Sequence, residues 1–105
     1  MVIIPFPFSD LSGSKLRPAL VLADAGHEDW LLCQITSKAY LDPSAFRLTD
    51  AELSEGSLNV ESFARPMKLF TANRDLIAKR VALLSDETFR VILTYIIESL
   101  QRNLP

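Results

Sequence analysis

The clearest periodic signal in this chain lies at its end. Phe89, Ile92, Leu93, Ile96, Ile97, Leu100 and Leu104 recur at the i, i+3, i+4, i+7 spacing that lines one face of an α-helix. Ser85 precedes them as an N-cap. Asp86 and Glu87 fill the first turn, where carboxylates meet the positive end of the helix dipole. A helix from Ser85 to Leu104 is therefore expected. What precedes it reads as short strands: a stub at Met1 to Pro5, a strong apolar strand from Arg17 to Ala23, its return from Trp30 to Thr36, and a short one from Ala45 to Leu48. Asp24 to Asp29 is a turn by composition, Lys38 to Pro43 a loop, and Thr49 to Gly56 an acidic turn or helical excursion. The β signal resumes from Leu58 to Thr71, where Pro66 removes a ladder donor and marks an edge, a bulge or a break. After a turn at Asn73 to Ile77, Ala78 to Leu84 is a further strand. Several short strands closed by one amphipathic helix predict a mainly β fold: a small, strongly bent antiparallel sheet or barrel with a C-terminal helix packed on it.

Length and composition set the bounds on function. The 105 residues make one domain, 1–105, with a single core, small enough that oligomerisation would help stabilise it. A net charge of −2 gives no global signature for nucleic acid, so any RNA binding must use a local patch. No apolar run approaches the roughly 18 residues needed to span a bilayer, and the N-terminus lacks the features of a signal peptide. One cysteine, Cys33, cannot form an internal disulfide, which fits a reducing cytoplasm, and its place in an apolar strand reads as a small core residue. One histidine, His27, lies in an acidic turn and reads as a solvated loop residue. Zinc would need several nitrogen or sulfur ligands that the chain lacks, so neither a metal nor another cofactor is expected.

One segment carries candidate chemistry. A Pro5-Phe6-Pro7-Phe8 corner leads through Ser9-Asp10-Leu11-Ser12-Gly13-Ser14 to Lys15, Arg17 and Pro18, and then into the apolar strand. A small-polar loop with Gly13 is free to move, while Arg17 is held where Pro18 and the strand begin. The loop from Ser9 to Lys15 is thus expected to be mobile over a fixed cation. A guanidinium held in this way suits bidentate recognition of a phosphate or carboxylate; the plain alternative is a hairpin loop with a surface arginine.

This segment resembles the opening of the MazF/PemK-like toxins, the ribonuclease components of toxin–antitoxin pairs. Gln34-Ile35-Thr36-Ser37, Ser62-Phe63-Ala64-Arg65-Pro66 and Leu84-Ser85-Asp86-Glu87 extend the resemblance over essentially the whole chain. It implies an SH3-like barrel with a C-terminal helix, a homodimer, and inhibition by a cognate antitoxin. It also implies metal-independent cleavage of single-stranded RNA, with Arg17 and Thr36 matching the catalytic arginine and hydroxyl. Ser37, Lys15 and Arg65 are then candidate RNA-binding residues. Without a metal, the 2′-hydroxyl attacks the adjacent phosphodiester, and the protein supplies base, acid and charge stabilisation. Two departures stand out. Family members often carry a Gly-Asp pair before the first strand, whereas this chain begins inside it, so that strand is expected to be short or frayed, or the start to lie upstream. Where some members place an acid on the middle strand, this chain has Ser62, beside Glu61, which a regular strand would turn to the opposite face. Asp10 is the other candidate base. Lys15, Arg17, Lys38, Arg65 and Lys68 are candidates for a local basic surface, and Phe6, Phe8 and Phe63 for stacking on unpaired bases. The competing expectation is a non-catalytic SH3-like module that binds peptide or nucleic acid without cutting, since fold alone does not decide function.

Overall fold

A computed structural model describes residues 1–6, 15–38, 42–58 and 60–105, with the backbone alone at 2–6 and 15–16. The expected loop from Ser9 to Ser14, with Asp10, lies outside the described residues, as do Pro7, Phe8 and the side chains of Phe6 and Lys15. Eight strands are described: β1 (Val2–Phe6), β2 (Lys15–Gly26), β3 (Asp29–Thr36), β4 (Phe46–Leu48), β5 (Leu53–Gly56), β6 (Ser62–Asn73), β7 (Lys79–Arg80) and β8 (Ala82–Leu84), followed by helix α1 (Asp86–Gln101). Six strands form one sheet in the order β4-β6-β3-β2-β1-β7, and β5 pairs with β8 in a second. Every pairing is antiparallel. The fold is mainly β with a C-terminal helix, its sheet curled into a half-barrel.

The β2–β3 hairpin is tighter than composition suggests. His27 and Glu28 both have positive φ (51° and 64°), which a two-residue primed turn requires, and such a turn matches the twist of its flanking strands. Gly26 also has positive φ, and its N–H donates to Asp24 Oδ1 at 2.7 Å. Pairing therefore runs out to Gly26 and Asp29, into residues that read as turn.

Pro66 resolves as a bulge. β6 pairs Leu69 with Cys33 but Ala64 with Ile35, so the register slips across the proline. On the other side β4 reaches only Ser62 to Ala64. No ladder asks Pro66 for an N–H, so the strand continues past it.

The run from Ala78 to Leu84 is not one strand but two. β7 pairs with β1 and β8 with β5, and between them the Val81 N–H donates to the Met1 carbonyl at 3.0 Å. Changing partners forces the chain to turn there. Gly56, at φ 80°, makes room for that corner: a Cβ on it would stand 2.6 Å from the Val81 carbonyl oxygen.

α1 begins as expected, with Ser85 Oγ accepting the Thr88 N–H at 3.2 Å, but it ends at Gln101 and buries less than its apolar spacing suggests. Ile92 and Ile96 are buried, whereas Ile97, Leu100 and Leu104 are 47%, 55% and 72% exposed. Ile97 lies five residues beyond Ile92, about 140° round the helix at 100° per residue, and Leu104 lies past the helix end.

The sheet separates two apolar clusters. Beneath α1 lie Leu20, Leu22, Cys33, Ile35, Leu48 and Ala64 with Ile92 and Ile96. Phe46 of β4 meets Tyr95 of α1 edge-on, with ring centroids 5.5 Å apart. Cys33 is fully buried and desolvation pushes its thiol up to about 12, which makes it an inert core residue. The other face carries a smaller cluster, Ala19, Leu32, Phe70 and Ala72. Near the open end of the β2–β3 hairpin, that second face becomes polar.

Candidate functional site

β3 alternates across the sheet. Leu32, Gln34 and Thr36 share the face opposite α1, while Cys33 and Ile35 point beneath the helix. Pairing then assigns the neighbours. Gln34 stands opposite Ala19 of β2, where the pairing of β2 with β3 ends; Arg17 lies two residues beyond on β2, paired with Ile4 of β1, and Thr36 two residues beyond on β3. Thr36 pairs on its other side with Phe63 of β6, which pairs with Arg47 of β4. A row thus crosses three strands, Arg47, Phe63 and Thr36, and β2 with Arg17 is the next strand beyond. Arg65, two residues along β6 from Phe63, shares this face, and its Nη1 donates to Gln34 Oε1 at 2.9 Å.

The two arginines are held differently. Arg65 Nε donates to Asp42 Oδ2 at 2.7 Å. Ser44 supports the arrangement, its Oγ and N–H both donating to Asp42 Oδ1 at 2.6 and 3.0 Å. Hydrogen bonds from Arg65 and then Ser44 hold the Asp42 carboxyl below the usual carboxylate range. Arg65 is therefore oriented by two partners. Arg17 Nε is buried, and among the buried side-chain nitrogens and oxygens of the described residues it alone has no hydrogen-bond partner. A buried donor without an acceptor costs about 1–3 kcal/mol and calls for an explanation; an anion supplied from outside is one.

The remaining candidates fall into place around this pair. The Thr36 hydroxyl accepts the Lys38 N–H at 3.1 Å and donates to the Lys38 carbonyl at 3.4 Å, which pins it at the strand end. Ser37 and Lys38 follow it, both exposed. Lys15 stands two positions before Arg17 on β2. Ser62 is not on this face: it is 4% exposed and paired with buried Leu48, and its hydroxyl donates to the Val60 carbonyl at 3.1 Å. Glu61 is ion-paired to Arg47, at the outer end of the row. His27 sits in the hairpin turn, at the far end of β2 and β3 from Arg17 and Thr36.

Sequence reasoning gave no role to Gln34, Asp42 or Ser44. Gln34 had a signal, since it lies two residues before Thr36 on one strand and so shares its face. Asp42-Pro43-Ser44 reads locally as a turn, and nothing in its spacing points 23 residues ahead to Arg65. The arrangement as a whole places two guanidinium groups, an amide and a hydroxyl on one sheet face. It can take a phosphate between its cations and hydrogen-bond the non-bridging oxygens.

Comparison with known proteins agrees with the fold. No curated protein matches the chain. The model of one family, the PemK-like, MazF-like toxins of type II toxin–antitoxin systems, matches residues 1–100. That match spans all eight strands and all but the last residue of α1, so the chain belongs to the PemK-like, MazF-like toxin family.

Proposed function

We propose that this toxin is a cytoplasmic, metal-independent endoribonuclease that cuts single-stranded RNA and is held inactive by its cognate antitoxin. The observation that carries this reading is the buried, unpartnered Nε of Arg17 on the same face as the oriented Arg65. In the reaction, the ribose 2′-oxygen loses its proton and bonds to phosphorus. The bond from phosphorus to the 5′-oxygen breaks, and that oxygen takes up a proton. The products are a 2′,3′-cyclic phosphate and a 5′-hydroxyl. Charge grows on the non-bridging oxygens along the way, and Arg17 and Arg65 stabilise it while the Thr36 hydroxyl positions the phosphate. Asp42 acts through Arg65 as a positioning residue. The two carboxylates described on this face, Asp42 and Glu61, are both engaged by arginines, which leaves the general base unassigned. That same engagement favours the second reading, a module that binds RNA or peptide without cutting.

One experiment separates the two. Incubated with mixed-sequence RNA in excess EDTA, the protein is expected to cut and to leave cyclic phosphate ends. Cutting that disappears under chelation and returns with a divalent ion contradicts the mechanism, and binding without cutting supports the second reading. We also propose a homodimer, supported by the small domain and by Val91, Ile97 and Leu100 on α1, which are about half exposed. Sedimentation at micromolar concentration is expected to give twice the monomer mass; a monomer mass contradicts it.

A further inference from the structure

We propose that Phe63 is the floor of a nucleobase subsite beside the cleavage point, so that RNA crosses the strands along Arg47, Phe63 and Thr36 toward Arg17 on the next strand. The inference rests on the RNA-cutting reading above and deepens it. Three observations carry it.

The first is where the ring stands. Strands are about 4.8 Å apart, so Phe63 is one step from Thr36, and β2, the strand that carries Arg17, is two steps, about 10 Å, from β6. That is the reach from a phosphate at the arginines to the base of a neighbouring nucleotide.

The second is what the ring does not do. Phe46 turns beneath α1 against Tyr95, and Phe70 is buried in the smaller cluster. Phe63 is half-buried and belongs to neither cluster of the described residues. An aromatic ring partly exposed on a charged face, and packed in neither cluster, is more informative than a lone exposed aliphatic side chain.

The third is its surroundings. Arg47 and Glu61, ion-paired, lie on its β4 side, and Arg65 is two residues along its own strand. An aromatic ring flanked by cations is how single-stranded nucleic acid is held on a sheet: the base stacks on the ring while the backbone follows the charges. Such stacking tolerates any base, because each offers a π-face.

The test uses the full-length protein and a short single-stranded RNA of mixed sequence whose 2′-oxygens are methylated to block attack. Phe63→Leu is expected to weaken binding about five- to hundredfold, the range for loss of one stacked base. Phe63→Tyr is expected to keep most of the affinity. After the cut is mapped on unmodified RNA, an abasic residue at one flanking nucleotide should weaken binding by the unaltered protein to the same extent. It should add nothing further to Phe63→Leu. The subsite is overturned if a folded Phe63→Leu variant binds like the unaltered protein, or if the two losses add in full. Should that variant fail to fold, the abasic scan on the unaltered protein decides alone, and no flanking position standing out overturns the proposal. A protein that cuts RNA without dependence on Phe63 loses only the subsite. One that binds through Phe63 and never cuts loses the nuclease reading and keeps the subsite. One that neither binds nor cuts loses both.

Discussion

The two sides of β3 are built for different purposes, one residue apart. Cys33 and Ile35 point beneath α1 into a dry cluster and are no more than 1% exposed. Gln34 and Thr36 point the other way, toward two arginines, an aspartate and a half-buried phenylalanine. On the covered side no buried side-chain nitrogen or oxygen of the described residues lacks a partner, and the apolar side chains are packed. The open side holds a cation whose Nε has no partner. A strand's period of two lets one segment hold the fold together and present chemistry, without either set of side chains disturbing the other. The difference therefore predicts which neighbours share a phenotype and which do not.

The largest expected effect breaks the comparison if it fails. Ile35→Ala should destabilise the protein by about 2–5 kcal/mol, as loss of a fully buried isoleucine does. Thr36→Ala, one residue on, should change stability by about 1 kcal/mol or less, the net worth of its hydrogen bonding to Lys38, while lowering RNA cleavage. Thermal or denaturant melting beside cleavage rates checks both. Equal melting losses at the two positions would erase the distinction between the faces.

A smaller effect sharpens it. Asp42→Asn should slow cleavage about tenfold by loosening one charge-assisted hydrogen bond that orients Arg65. The pH dependence has a definite sign. Arg65 and Ser44 hold the Asp42 carboxyl below its ordinary range, so the folded state takes up its proton less readily than the unfolded chain. The stability this contributes is present above the unfolded value near 4, and is lost as pH falls through the lowered folded value. The stability gap between the unaltered protein and Asp42→Asn should stay level from about pH 7 to 5 and close below about pH 4. A gap that widens on acidification contradicts the arrangement. The exposed pair Arg80 and Glu55, with side chains 62% and 65% exposed, is the control: Glu55→Gln should shift stability by no more than about 1 kcal/mol.

How much of this was legible in the sequence follows from the range of each interaction. The helix start at Ser85 and the strands at Arg17 and Trp30 announced themselves through local spacing and capping. The split at Val81 did not, because the apolar run stays unbroken while its two halves pair with β1 and β5, far away in sequence. Pro66 declared an interruption, but only the pairing of β6 with β3 and β4 made it a bulge. Arg17 and Thr36 stood out through resemblance, and the pairing of β2 with β3 put them at the same end of the sheet. The tie from Asp42 to Arg65 depends on a loop returning over the sheet, which spacing does not encode. Where some family members place an acid this chain has Ser62, and alternation turns Ser62 into the core and leaves Glu61 on the open face, where Arg47 holds it.

On the proposed mechanism, the buried Arg17 Nε, which has no partner among the described residues, receives the phosphate whose charge it stabilises. Single-turnover cleavage of mixed-sequence RNA by Arg17→Ala, with melting measured on the same sample, tests it most directly. The expected rate is about a hundredfold lower, from loss of roughly 3 kcal/mol of transition-state stabilisation. The melting temperature is expected to be unchanged or higher, because the substitution removes a buried donor that has no acceptor. A folded variant that cuts within about threefold of the unaltered protein, less than 1 kcal/mol, would contradict the mechanism.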